Sequence, residues 1–205
     1  MLFSPFLIGA LQLSAARSGR SPTQSRSALI RASAVESPTL APLIQAATAS
    51  GPVAVDASDE AQAAVESAAV ALRGQGAAAP ADIPLRGTYS LLYSAAKGGS
   101  NGKLGPLTGT VQQIIVDETS FINQVDFFGG ALCVQLHAER ERLDEERIRV
   151  NFKETSFRLF GNELVRKPTN GSGVWVNEFV QQGDDGESAG FRVMRTPSLF
   201  VLQQQ

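Results

Sequence analysis

The sequence predicts an all-β fold, an antiparallel barrel of about eight or nine strands behind a short helical N-terminal segment. Three observations carry this. From residue 85 onward, short apolar–polar alternations recur between Gly, Pro, Asn and Asp clusters. No long helical pattern interrupts them. Nine of the 11 phenylalanines follow residue 120, which places the core in the second half. A sandwich would satisfy the same alternation. Closure is favoured because it removes exposed strand edges, and it requires the first and last strands to pair.

Composition narrows the function. The net charge of −2 gives no global basic field for nucleic acid. One cysteine, Cys133, excludes an internal disulfide framework and a cysteine-rich metal site. One histidine, His137, removes most metal and nucleophile–histidine designs. No cofactor is predicted.

Residues 1–35 hold Arg17, Arg20, Arg26 and Arg31, and the first acid is Glu36. This Ser/Ala/Arg-rich, acid-poor composition predicts an organelle transit peptide. The apolar stretch 2–13, ending near Ala15 and Ala16, reads as a signal core, which would make a two-part address of signal plus transit. The charged residues that precede such a core are missing, and a plain tail is the alternative. No run reaches the ~20 apolar residues of a membrane-spanning helix. Residues 36–84 form an Ala/Pro-rich linker with a helix near 59–73. Asp56 or Ser58 caps its start, Asp59 and Glu60 fill its first turn, and Gly74 ends it. Its thin stripe of Ala61, Ala64, Val65, Ala68 and Leu72 predicts packing on the barrel wall or over one end. Residues 74–84 read as a flexible linker.

The barrel domain is expected over 85–203. Residues 85–94 make the first strand, with Tyr89, Leu91 and Tyr93 on one face beside Leu85 and Gly87. Gly87 marks a bend or a close approach. The glycine-rich stretch 95–103 lacks phosphate-loop spacing and reads as a mobile connection. Residues 106–117 form a second strand carrying Val111, Gln113 and Ile115, and Asp117-Glu118 is a turn. A third strand over 119–128 carries Phe121, Asn123, Val125 and Phe127. Gly129-Gly130 signals a two-residue hairpin. The fourth strand, 131–141, carries Leu132, Val134, Leu136 and Ala138. The charged stretch 139–147 reads as a solvated hairpin end. Residues 147–153 alternate Ile148, Val150 and Phe152 against a basic face of Arg147, Arg149 and Lys153. Residues 157–160 form a short strand closed by Gly161-Asn162, Leu164-Val165 a further piece, and 168–173 a loop. The last strands are 174–180 with Trp175, 191–195, and 198–203 after the break at Pro197.

Reactive side chains are sparse. Cys133 and His137 lie four apart on one strand, roughly 13 Å from each other, too far for a nucleophile–base pair. Asp144, Glu145 and Glu146, and Asp184 and Asp185, fall in hydrophilic turns where acids are solvated. Calcium spacing is absent around 184–187. The basic face suits anionic headgroups, or is balanced by Glu139, Glu141, Glu145 and Glu146. The predicted inward positions are Tyr89, Leu91, Tyr93, Val111, Gln113, Ile115, Phe121, Asn123, Val125, Phe127, Leu136, Val150, Phe152, Trp175 and Phe200. Such walls suit a hydrophobic ligand, with Tyr93, Gln113 and Asn123 to orient a headgroup, or form a dry packed core.

The blocks LRGTYSLLYS, LGPLTGTVQQII, FINQVDFF, RIRVNF, SGVWVNEFV and FRVMRTPSLFVL stand in that order over 85–202. In this set the chain resembles the plastid lipid-associated protein, or fibrillin, family, similar in fold to lipocalins. The resemblance implies a non-enzymatic plastid protein that binds or organises hydrophobic lipids at plastoglobules or thylakoids. The lipids implied are prenylquinones, carotenoids and fatty acids. The implied partners are a lipid ligand or a lipid-droplet or thylakoid surface, with peripheral membrane association. The alternative is a scaffold for a plastid lipid-biosynthetic enzyme, with no ligand of its own. Gly87-Thr88-Tyr89 lies where lipocalin-like folds carry Gly-x-Trp. The resemblance implies that Tyr89 closes one end of the barrel, with Arg192 or Arg195 packed across its ring. The chain departs from the family over 179–185, which lacks a Leu-Asp block, and after Arg195, which lacks a glycine pair.

Overall fold

The computed structural model describes residues 39–97 and 101–205. The predicted address over 1–35 lies outside the described residues, as do residues 98–100 of the glycine-rich connection. Ten strands form: β1 (Thr88–Ser94), β2 (Lys103–Leu104), β3 (Leu107–Thr108), β4 (Thr110–Ile115), β5 (Ser120–Phe127), β6 (Leu132–Arg142), β7 (Arg147–Leu159), β8 (Asn162–Gln182), β9 (Ala189–Arg195) and β10 (Leu199–Gln204). Eight of them close a barrel in the order β1-β10-β9-β8-β7-β6-β5-β4, and β2 with β3 makes a separate two-stranded hairpin. Each barrel pair is antiparallel. Closure runs through β1, which pairs with β10 (Tyr89↔Gln204, Leu91↔Leu202) and with β4 (Tyr89↔Gln113). The required union of first and last strands is present.

The strands differ from expectation where turn residues were given the wrong job. The β5–β6 connection is not a two-residue hairpin at Gly129-Gly130. It spans 128–131, with Phe127 paired to Leu132 and Phe128, Gly129 and Gly130 all at positive φ. The two-residue hairpin lies instead at Phe160-Gly161, between the paired Leu159 and Asn162, with both turn residues at positive φ. The stretch 168–173 is not a loop; it is strand, part of the 21-residue β8. Pro168 is tolerated because residues 162–175 pair with β7 alone, so no second neighbour needs the missing N–H. A register shift between Phe152 and Glu154 absorbs the irregularity. The result is that the first part of β8 runs past β9 at one end of the barrel, while β6 accompanies β7 to the tip.

The N-terminal segment is more ordered than its composition suggests. Two helices form, α1 (Ala41–Ser50) and α2 (Asp59–Ala71). Ser58 caps α2 by accepting from the Ala61 N–H at 3.2 Å. The unexpected α1 starts with Pro42 in its first turn, where a proline costs nothing, and buries Leu43 and Ala47. Both helices lie on the outer barrel wall. Leu43, Ala47, Val65, Ala69 and Leu72 pack there with Phe179, Phe191, Val193, Leu199 and Val201. The predicted flexible linker 74–84 is a strap tied across the closed end. Ala77 N–H donates to the Val180 carbonyl, Ala81 N–H to that of Glu145, and Ala189 N–H to that of Pro84. At Gly76 the approach is so close that a Cβ would sit 2.7 Å from the Val180 oxygen.

An ion-pair cluster pins α2 to the wall. Arg195 Nε donates to Glu178 Oε1 at 2.6 Å, its Nη2 to Glu66 at 2.7 Å, and Arg73 reaches Glu178 at 2.7 Å. Burial raises the Glu178 carboxyl, but hydrogen bonds from Arg195 and Arg73 outweigh it and leave the group below its ordinary value of 4.5. A carboxyl lowered by folding stabilises the fold above its unfolded value and loses that contribution as pH falls through the folded one. Acid should therefore loosen the helical cover as pH falls below the group's ordinary value of 4.5. Dye binding to the uncovered wall will report this. Glu178→Gln should weaken the fold by about 1–3 kcal/mol at neutral pH and flatten the acid response.

Candidate functional site

The barrel has one closed end, built around Tyr89 and Arg192. Both are fully buried. The Tyr89 hydroxyl donates to the Ala189 carbonyl at 2.6 Å, and the Arg192 guanidinium carbon lies 5.5 Å from the Tyr89 ring centroid. Arg192 Nη1 donates to Gln113 Oε1 at 2.8 Å; Nη2 reaches Asn177 Oδ1 at 3.4 Å and the Met194 sulfur at 2.8 Å. Its Nε is buried with no partner. Burial pushes the guanidinium down to about 10, so it remains charged at neutral pH. No carboxylate among the described residues bonds it. Arg195, the other candidate for this role, is corrected: three residues further along β9 it points outward to Glu178 and Glu66. Leu85, Ala81 and Ile83 of the strap pack beneath the pair.

The interior is filled at this end and hollow at the other. Tyr89, Phe121 and Val150 belong to the packed part, with Ile148 and Val180. Above them lies a cavity of about 510 Å³. Of the predicted inward residues, Leu91, Val111, Gln113, Asn123, Val125, Leu136, Phe152, Trp175 and Phe200 line it. Trp175 forms part of its floor, 5.7 Å from Phe121 and 6.4 Å from Phe152 between ring centroids. The lining reaches Thr196 in the β9–β10 turn, at the end opposite the strap. Gln113 Nε2 donates to Asn123 Oδ1 at 3.1 Å across the β4–β5 pair, setting a polar patch into the wall.

Six predicted positions do not line the cavity, Tyr89 and Phe121 of the packed part among them. Tyr93 is not inside. A register shift between Leu91 and Tyr93 turns it outward, where it is buried among the helices. Ile115 packs against the filled end and borders a wide charged cleft of about 1250 Å³ beside the strap, rimmed by Asp117, Glu118, Arg140 and Arg142. Phe127 is buried against Gly109, where a Cβ would come within 3.0 Å of its ring. Val150 lies below the cavity. Thr155, Thr169 and Ser172 also line the hollow, and Thr155 and Thr169 share a 2.7 Å hydroxyl contact. They were missed because their segments read as a break and a loop. Met194 and Leu202 were missed although period two from Arg192 and Phe200 points to them.

The other chemical groups are spent locally. Lys153 pairs with Glu139 at 2.6 Å, Arg149 with Glu141 at 3.0 Å and Arg147 with Asp144 at 2.6 Å, so the basic face of β7 is neutralised. Burial, then the neighbouring Asp126, pushes the Cys133 thiol up to about 11, which leaves it protonated and a poor nucleophile. The Asp185 carboxylate accepts from the N–H groups of Glu187 and Ser188 and from the Ser188 hydroxyl. Those bonds hold it down to about 2.

Residues 42–197 match the family model described as PAP_fibrillin. The match begins inside α1 and ends in the β9–β10 turn, so it spans helical cover and barrel alike. No curated protein and no solved structure matches the chain.

The closed end should tolerate loss of the hydroxyl better than loss of the ring. Tyr89→Phe is expected to cost about 1 kcal/mol for one hydrogen bond. Tyr89→Ala is expected to cost about 3–5 kcal/mol, because it empties a packed site. Urea unfolding of the two variants checks the order.

Proposed function

The chain belongs to the plastid lipid-associated protein, or fibrillin, family, and from that premise we propose a non-enzymatic lipid carrier of the plastid. It takes one hydrophobic lipid (a prenylquinone, carotenoid or fatty acid) into the barrel and works at a plastoglobule or thylakoid surface. The hollow half of the barrel carries this reading. A cavity of about 510 Å³ lies in the size range of small-molecule sites. Its walls are mostly aliphatic and aromatic, and burial of a lipid chain there yields about 25 cal/mol per Å².

Two phenylalanines support the surface half of the reading. Phe128 and Phe160 are the only non-glycine residues at positive φ among the described residues. They are also 71% and 77% exposed. A bulky residue in that backbone region costs on the order of 1–3 kcal/mol, and neither ring recovers it by packing. The two turns adjoin, since Phe160 N–H donates to the Ala131 carbonyl at 2.8 Å. They lie at the hollow end, where the cavity lining reaches the β9–β10 turn. Insertion of both rings into a lipid surface would bring that end of the barrel to the membrane. With the basic face of β7 paired, apolar insertion rather than charge supplies the attachment.

Trp175 is the only tryptophan and lines the cavity, so its fluorescence reports occupancy. Lipid titration is expected to shift its emission. Val134→Trp should fill the hollow and weaken binding at least about tenfold, at a stability cost of about 1–3 kcal/mol. A purified protein that carries no lipid and takes none up would instead favour the enzyme-scaffold alternative. Phe128→Ser with Phe160→Ser should abolish flotation with phosphatidylcholine vesicles. Flotation of the unmodified protein should survive about 0.5 M salt, where exposed charges are screened.

A further inference from the structure

The cavity's polar patch has a fixed direction. A guanidinium donates and never accepts. Arg192 therefore holds Gln113 with its carbonyl oxygen toward Nη1. The Gln113 amide nitrogen must then face Asn123, and it donates to Asn123 Oδ1 at 3.1 Å. That leaves Asn123 Nδ2 free on a residue that lines the hollow, and it bonds none of the described residues. The second amide on Arg192 is oriented in the same sense. Asn177 turns its oxygen to Nη2 and its nitrogen to the Glu146 carbonyl at 3.2 Å. The patch thus keeps a free amide donor, and an uncompensated cation lies behind it with Nε unpartnered.

We propose that the lipid taken up by this barrel carries an acceptor head, a fatty carboxylate above all, which accepts from Asn123 Nδ2 at the cavity floor. This rests on the carrier reading above and adds the ligand's chemical class. A carboxylate oxygen offers only lone pairs, which is what a free donor needs. Its charge also meets the buried Arg192 cation in a region of low dielectric, where such attraction is weakly screened. An alcohol must place its own proton elsewhere, and a pure hydrocarbon leaves Nδ2 desolvated and unpaired. The acyl chain would then run past Val125 and Val134 toward Thr196.

Two probes of equal chain length test this, palmitate and hexadecanol, titrated by Trp175 fluorescence into the full chain. Palmitate is expected to bind at least about tenfold tighter. Asn123→Leu removes the donor and should weaken palmitate more than hexadecanol, bringing the two within about twofold of each other. Gln113→Glu sets a carboxylate against Arg192, cancels the cation and takes away the N–H that orients Asn123. It should erase the palmitate preference in the same way. Equal binding of both probes to the unmodified protein, or a preference that survives both variants, overturns the acceptor-head assignment and leaves the carrier reading standing. Binding of neither probe overturns both.

Discussion

Arg192 is a permanent cation at the bottom of an apolar barrel. Burying such a charge without a counter-ion is expensive, so its surroundings must satisfy it with neutral groups. The Tyr89 ring lies 5.5 Å from its guanidinium carbon, Gln113 and Asn177 offer amide oxygens, and Met194 offers sulfur. Those residues come from β1, β4, β8 and β9. They meet only if the sheet is closed, because β1 must stand between β10 and β4 to hold Tyr89 in place. The closed end, the polar floor and the position of the hollow above it follow from keeping that one side chain both buried and bonded.

The wall behind this cluster is buried on both sides. In β9, Phe191 and Val193 face the helices while Arg192 and Met194 face the interior. A strand of this kind cannot be stable with its outer face wet, so α1, α2 and the strap belong to the same folding unit as the barrel. On the opposite side, β4, β5, β6 and β7 carry polar groups outward. Gln112, Gln124, Gln135 and Ser156 stand in register there, and Gln135 donates to Gln124 at 2.7 Å. The barrel thus has a wall covered by helices and a wall faced with polar side chains, and its two exposed, strained phenylalanines lie at the end away from the strap.

Much of the site was legible because period two is a local property. The alternations of β4 and β5 placed Val111, Gln113, Asn123 and Val125 inside with no knowledge of their partners. The same rule failed at Tyr93, where a register shift against β10 reverses the face; a shift of this kind depends on a segment more than 100 residues away. It failed at Thr155 and Thr169 because Pro168, Gly171 and Gly173 resemble a loop until β7 is seen to pair across them. The segment before the barrel was underestimated for a related reason. Its alanines are a weak local signal, and only a wall of exposed Phe, Val and Leu makes their small stripe worth burying.

By itself the sequence determined the all-β class and the placement of most strands along the chain. These follow from side-chain alternation and turn chemistry, which each short segment carries alone; Tyr89 as the ring that closes one end was implied by the family resemblance, and the union of first and last strands by the cost of exposed edges. The tertiary structure decided that Arg192 rather than Arg195 crosses that ring, which end is filled, and that the strap is fixed. It also set the direction in which the floor amides point. Each of these depends on groups brought together from distant strands, because burial and hydrogen-bond direction exist only once the partners have met.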